Sequence, residues 1–138
     1  MNKIEHIGIA VKDIEKSNDL FASLFGKSHY KIEEVESEGV KTSFFKTGPN
    51  KIELLQATNP DSPIAKFIDK KGEGIHHIAF AVEDLKAEIT RLKEEGYIVL
   101  NEEPKKGADN KLVAFLHPKS TNGVLIELCQ DNYEGVME

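Results

Sequence analysis

The chain carries one pattern twice, and that repeat limits its fold more than any other feature. EHIGIAVKDI (5–14) returns 71 residues later as HHIAFAVEDL (76–85), matching His6 to His77, Ile7 to Ile78, Ala10 to Ala81, Val11 to Val82 and Asp13 to Asp84. A second echo, 74 residues apart, joins KIELLQ (51–56) to LIELCQ (125–130) and matches Ile52 to Ile126, Glu53 to Glu127, Leu54 to Leu128 and Gln56 to Gln130. A repeat of this length that occurs twice predicts a pseudo-symmetric duplication rather than a solenoid. Each half therefore brings one histidine and one glutamate at matching positions.

The local patterns give the repeated unit its shape. Residues 4–11 alternate and are rich in Ile and Val, which predicts a strand. Asp13 then caps a helix that stops at Gly26, with Ile14, Leu20, Phe21, Leu24 and Phe25 assigned to its apolar face. Strands are expected at about 29–36, 40–47 and 51–57, with turns at Gly39 and at GPN (48–50). In the connecting segment 57–74, Asp61 or Ser62 caps a short helix with Pro63 in its first turn. The pattern then restarts: a strand at about 75–82, a helix capped by Asp84 and running to Glu95, and strands near 97–101, 111–117 and 123–129. The expected fold class is α+β, two tandem β-α-β-β-β modules. Module 1 covers about 3–58, the linker 59–74 and module 2 about 75–131, within a single domain or two half-units sharing a core.

Composition narrows the function. The 138 residues are 39% hydrophobic, enough for a core of this size. No long apolar run predicts a membrane span and no leader pattern opens the chain, so a cytoplasmic protein with no membrane partner is expected. A single cysteine, Cys129, leaves no intramolecular disulfide and no cysteine-based zinc knuckle. The net charge is −6, without a basic stripe, which speaks against nucleic acid as a partner.

Strand parity sorts the repeated residues. His6 shares a face with Gly8 and Ala10, and His77 with Ala79 and Ala81, while bulky neighbours point away. Small residues leave room beside each imidazole. The same alternation sets Glu53 apart from Ile52 and Leu54, and Glu127 apart from Ile126 and Leu128. A glutamate inside such an apolar strand is costly to bury unless it is paired or bound to metal. Taken singly, these residues read as half-buried strand histidines and ion-paired carboxylates. Taken as a repeat-matched foursome, His6, Glu53, His77 and Glu127 suit a divalent first-row ion, Co²⁺, Mn²⁺, Ni²⁺, Fe²⁺ or Zn²⁺.

With these residues the chain resembles the vicinal oxygen chelate superfamily, whose paired β-α-β-β-β modules form a metal-lined cup. Within it, IEHIGIAV (4–11), SPIAKFIDKKGEGIHHIAFAV (62–82), EPKKGA (103–108) and FLHPKSTNGVLIEL (115–128) resemble the methylmalonyl-CoA epimerase family, and the likeness spans about residues 3–131. The resemblance implies that His6, Glu53, His77 and Glu127 ligate the metal, cobalt first among the candidates. His76, of opposite parity, is left out. It also implies a small-molecule acyl-CoA substrate, a homodimer, and interconversion of (R)- and (S)-methylmalonyl-CoA by proton abstraction at C2 through a metal-stabilised enolate. Some epimerases carry a glutamate, proposed as a base, just after a Gly-Val on the third strand. Here GVKTSFF (39–45) places Thr42 there. The catalytic candidates are then Glu127 first and Glu53 second, each with pure ligation as the alternative.

Other readings stay open at this point. A glyoxalase-type enzyme acting on glutathione hemithioacetals shares the fold and the ligand types, and a non-catalytic binding module shares the fold. Lys105, Lys106, Lys111 and Lys119 crowd the second half, either as a solvated surface or as contacts for CoA phosphates or the substrate carboxylate. His117 reads as structural, and Cys129 as a buried free thiol on the face of Glu127.

Overall fold

The computed structural model describes residues 1–132. The chain divides into two compact units. The N-terminal unit runs from His6 to His76, and the C-terminal unit joins Met1–Glu5 to the chain from His77 onward.

The N-terminal unit is built from β1 (Lys3–Ala10), α1 (Ile14–Phe25), β2 (Lys31–Val35), β3 (Val40–Thr47), β4 (Asn50–Ala57) and α2 (Pro63–Lys71). Its strands run in the order β2-β3-β4-β1, antiparallel except for the parallel β1–β4 pair. Helix α1 starts where expected: the Asp13 carboxylate accepts the Glu15 and Lys16 amides at 3.1 and 3.2 Å. It stops at Gly26, which turns left-handed (φ 76°) and donates its N–H to the Ala22 carbonyl. Ser62, not Asp61, caps α2, its hydroxyl accepting the Ala65 amide at 3.1 Å, with Pro63 in the first turn. Gly39 lies at φ 63°, and a Cβ there would come 2.7 Å from Ser62 Cβ, so both the turn and the seating of α2 need a glycine.

The α1 stripe differs from the expected one. Ile14, Phe21 and Phe25 pack with Phe45 and Leu54, whereas Leu20 and Leu24 are 59% and 68% exposed. A polar residue takes their place: Asn18 is buried, and Ser43 on β3 donates to its side-chain carbonyl at 2.5 Å. Phe21, Phe25 and Phe45 stack with centroids 5.5–6.4 Å apart, and this aromatic wedge fixes which face of α1 meets the sheet.

The C-terminal unit repeats the plan with β5 (Gly74–Ala81), α3 (Leu85–Glu94), β6 (Lys105–Lys106), β7 (Lys111–Leu116) and β8 (Ile126–Asp131), in the order β5-β8-β7-β6. The parallel pair is β5–β8, matching β1–β4. Leu85, Ile89 and Leu92 of α3 pack on Val82, Leu112, Ala114, Leu116 and Leu128. On its outer side Arg91 donates to Glu88 at 2.8 Å and holds that carboxyl below its usual range. Asn2 ties the chain start into this unit through its N–H to the Ala81 carbonyl.

The strand expected at 97–101 is not formed. Only an isolated bridge joins Val99 to Leu116, and the strand next to β7 is the two-residue β6. The cause is Asn101, whose side chain donates to the carbonyls of Val113 and Glu103 and accepts the Phe115 amide at 2.9 Å. A side chain thus occupies sites that a strand backbone would use. The last strand also begins later than expected, at Ile126, because a 3-10 turn (Pro118–Ser120) intervenes. Among the described residues no helix is long and apolar enough to cross a membrane.

Candidate active site

Each unit holds one buried imidazole against one buried carboxylate. In the N-terminal unit the parallel β1–β4 register sets Gly8 beside Glu53. With no side chain at Gly8, the Glu53 carboxylate reaches along β1 to His6, and Oε2 lies 3.1 Å from Nδ1. In the C-terminal unit Ala79 stands beside Glu127, whose Oε1 lies 3.2 Å from His77 Nε2. The small residues beside each histidine therefore have the use that strand parity suggested: they leave the carboxylate a path to the ring. His6 and Glu53 are each 4% exposed, His77 and Glu127 each 6%. Ionisable groups are buried to this degree only when paired or ligating, because desolvation otherwise costs several kcal/mol or more. Imidazole nitrogen with carboxylate oxygen is a donor set that suits divalent first-row ions, so the residues present fit such a metal.

The remaining sequence candidates fall outside these pairs. His76 stands edge-on to Phe67 of α2, with centroids 4.9 Å apart. His117 accepts the Lys119 amide through Nδ1 at 2.9 Å and so caps the turn that follows it. Cys129 is buried on the Glu127 face, and its thiol donates to the Phe80 carbonyl at 3.6 Å. Thr42 is 1% exposed on β3 and pairs across the ladder with Leu55, on the same face as Glu53. Of the four lysines, Lys106 and Lys119 are exposed and Lys111 pairs with Asp131.

A second repeated feature, not visible in the sequence echoes, flanks the pairs. Phe44 lies directly across the ladder from Glu53, and Phe115 directly across from Glu127. A lysine sits over each ring: Lys31 Nζ is 4.6 Å from the Phe44 centroid, and Lys105 Nζ is 5.4 Å from that of Phe115. Each unit thus carries a Lys-Phe-Glu-His series on one face of its sheet. The C-terminal unit also holds a cavity of about 510 Å³, lined in part by Ala81, Cys129, Lys111, Asp131 and Lys3. Glu5, 4% exposed, lines it too and is a buried carboxylate that the repeat did not flag.

Residues 5–115 match the family model of the glyoxalase/bleomycin resistance protein/dioxygenase superfamily. The chain is 42% identical to the ethylmalonyl-CoA/methylmalonyl-CoA epimerase of Cereibacter sphaeroides, over 94% of this chain and 98% of that one. It is 39% identical to human mitochondrial methylmalonyl-CoA epimerase, over 94% of this chain and 74% of the human protein. A solved variant of Streptomyces coelicolor methylmalonyl-CoA epimerase, in complex with 2-nitronate-propionyl-CoA, superposes with a TM-score of 0.92 at 34% identity, over 96% of this chain and 99% of that one. The chain belongs to this superfamily and, within it, to the methylmalonyl-CoA epimerase family. The α+β fold of β-α-β-β-β modules expected from the repeat is the fold of these relatives.

Proposed function

We propose that this protein interconverts (R)- and (S)-methylmalonyl-CoA by moving the proton at C2, with His6, Glu53, His77 and Glu127 as the ligands of one divalent ion. The observation that carries this reading is the buried His–Glu pair present once in each unit, 3.1 Å apart in one and 3.2 Å in the other. Two imidazoles and two carboxylates together offset the charge of a divalent ion, and cobalt heads the candidates. The bound ion would supply Lewis acidity to the negative charge that develops on the thioester oxygen when C2 loses its proton.

The rest falls to the chain's own side chains. C2 lies between a thioester and a carboxylate, so its proton is acidic enough for a carboxylate to remove once the developing charge is stabilised. Inversion needs proton exchange on both faces of C2, most simply by two bases. Thr42 carries no carboxylate, and a hydroxyl is too weak a base for this step. The roles then pass to the two ligand-type carboxylates, Glu127 first and Glu53 second. The solved relative with an acyl-CoA analogue supports an acyl-CoA substrate. Family likeness supports a homodimer, and a buried free cysteine suits the reducing cytoplasm.

The test is chiral analysis of methylmalonyl-CoA incubated with cobalt-loaded protein, beside a chelator-treated sample checked for folding by circular dichroism. The loaded enzyme should bring either pure epimer to a racemic mixture, and the stripped sample should not. Retention of configuration in a loaded, folded sample would overturn the proposal. Turnover unaffected by complete metal removal would overturn its metal part.

A further inference from the structure

Of the two lysines that sit over aromatic rings beside the His–Glu pairs, one is built to meet a ligand. Lys31 lies over Phe44, a ring with no exposed surface, and its ammonium is 3.5 Å from the Glu33 carboxylate. Its charge is matched by a neighbour and its ring is closed off. Lys105 differs on both counts that matter. Phe115, the ring beneath it, is only half-buried, and that ring stands edge-on to His77, with centroids 6.4 Å apart and planes at 85°. Lys105 pairs in register with Val113, two residues from Phe115 on the same strand and the same face, and Glu127 lies across the ladder from Phe115. An ammonium, an aromatic face, an imidazole and a carboxylate therefore stand in series on one side of one sheet.

We infer that Lys105 is a substrate-positioning cation that holds an anionic group of the acyl-CoA on the His77–Glu127 face. This rests on the acyl-CoA reading above and adds a residue to it. The Phe115 ring limits where the lysine stem can go and keeps the ammonium desolvated on one side, which strengthens its pull on an anion. Two parts of such a substrate carry the required charge, the carboxylate on C2 and the phosphates of CoA. Either one bound to Lys105 would anchor the molecule while leaving C2 to the carboxylates. Lys106, exposed and next in sequence, projects from the opposite side of β6 and serves as the control.

The experiment compares the unaltered metal-loaded protein with Lys105→Met, Lys105→Arg and Lys106→Met, on methylmalonyl-CoA and on methylmalonyl-pantetheine, which lacks the CoA phosphates. Calorimetric binding is measured alongside turnover. For Lys105→Met, KM and the dissociation constant for methylmalonyl-CoA should rise about tenfold or more, with kcat within about twofold, as expected for loss of one charge-assisted contact. Lys105→Arg should recover most of the affinity, and Lys106→Met should behave as the unaltered protein. If the penalty persists on the pantetheine thioester, the anion held is the carboxylate; if it disappears there, the anion is a phosphate. Unchanged KM and binding in Lys105→Met on both substrates would overturn the inference. Absence of turnover in the unaltered protein would count against the epimerase reading instead, and the calorimetric comparison would still decide the role of Lys105. Absence of binding as well would overturn both.

Discussion

The Gln56 side-chain carbonyl accepts the Ile14 amide at 2.7 Å, across 42 residues of sequence. Gln130 does the same for Leu85, also at 2.7 Å. The glutamine that closes each copy of the second echo is thus a helix-start acceptor, tying the first turn of α1 to β4 and the first turn of α3 to β8. The repeat preserved two different things side by side: a site carboxylate, and three residues later a structural cap. Gln56→Ala and Gln130→Ala should each lower stability by about 1 kcal/mol, the usual cost of leaving such an amide without its partner. Urea denaturation would read this as a lower midpoint at unchanged slope, with metal content intact.

The Asn18–Ser43 bond carries a larger expected penalty. Both groups are buried, so Asn18→Leu leaves the Ser43 hydroxyl unsatisfied, at about 1–3 kcal/mol. The double variant Asn18→Leu with Ser43→Ala should recover part of that loss, since no orphaned polar group remains. A double-mutant cycle by chemical denaturation measures the coupling, and strict additivity of the two changes would show that the bond is not the cause.

Much of this architecture was legible in the chain. Asp13, Asp84 and Ser62 stood at helix starts because their short oxygens reach back to the first amides, and strand parity isolated His6, Glu53, His77 and Glu127 because a period of two is rigid. What escaped depends on contacts that sequence order does not carry. Leu20 and Leu24 fit a helical stripe as well as Phe21 and Phe25 do, and only the Phe45 ring on β3 decides which pair faces the sheet. Asn101 looked like a strand residue because its backbone neighbours are Val, Leu and Ile, yet its amide replaces the ladder. The Lys-over-Phe feature was hidden because Lys31 and Phe44 are 13 residues apart while Lys105 and Phe115 are 10 apart. Loops of different length mask a relationship that only the ladders restore.

Metal removal should be felt in the fold as well as in activity. If the four residues hold one ion, binding it stabilises the native state by mass action, by about 2.7 kcal/mol at a hundredfold excess over the dissociation constant. Thermal denaturation with and without a chelator should show a clear fall in Tm on stripping and recovery on adding cobalt. In His77→Ala that response should be largely lost. A Tm indifferent to metal in the unaltered protein would argue that the buried pairs are structural alone.

Glu127 separates ligation from base catalysis. The change Glu127→Gln keeps an oxygen that can bind an ion but removes the proton acceptor. Turnover should fall by about 10²-fold or more, the common range for loss of a general base, while metal content measured by elemental analysis falls far less. Equal losses in the two assays would return Glu127 to a pure ligand role and shift attention to Glu53.

The central claim is that C2 gives up and regains a proton in the grip of these residues. The direct measurement is solvent-deuterium exchange at C2 of methylmalonyl-CoA, followed by NMR or mass spectrometry, with cobalt-loaded and chelator-treated protein. The account predicts rapid exchange in the loaded protein, coupled to racemisation and lost on stripping. A loaded and folded protein that leaves the C2 proton in place would contradict it.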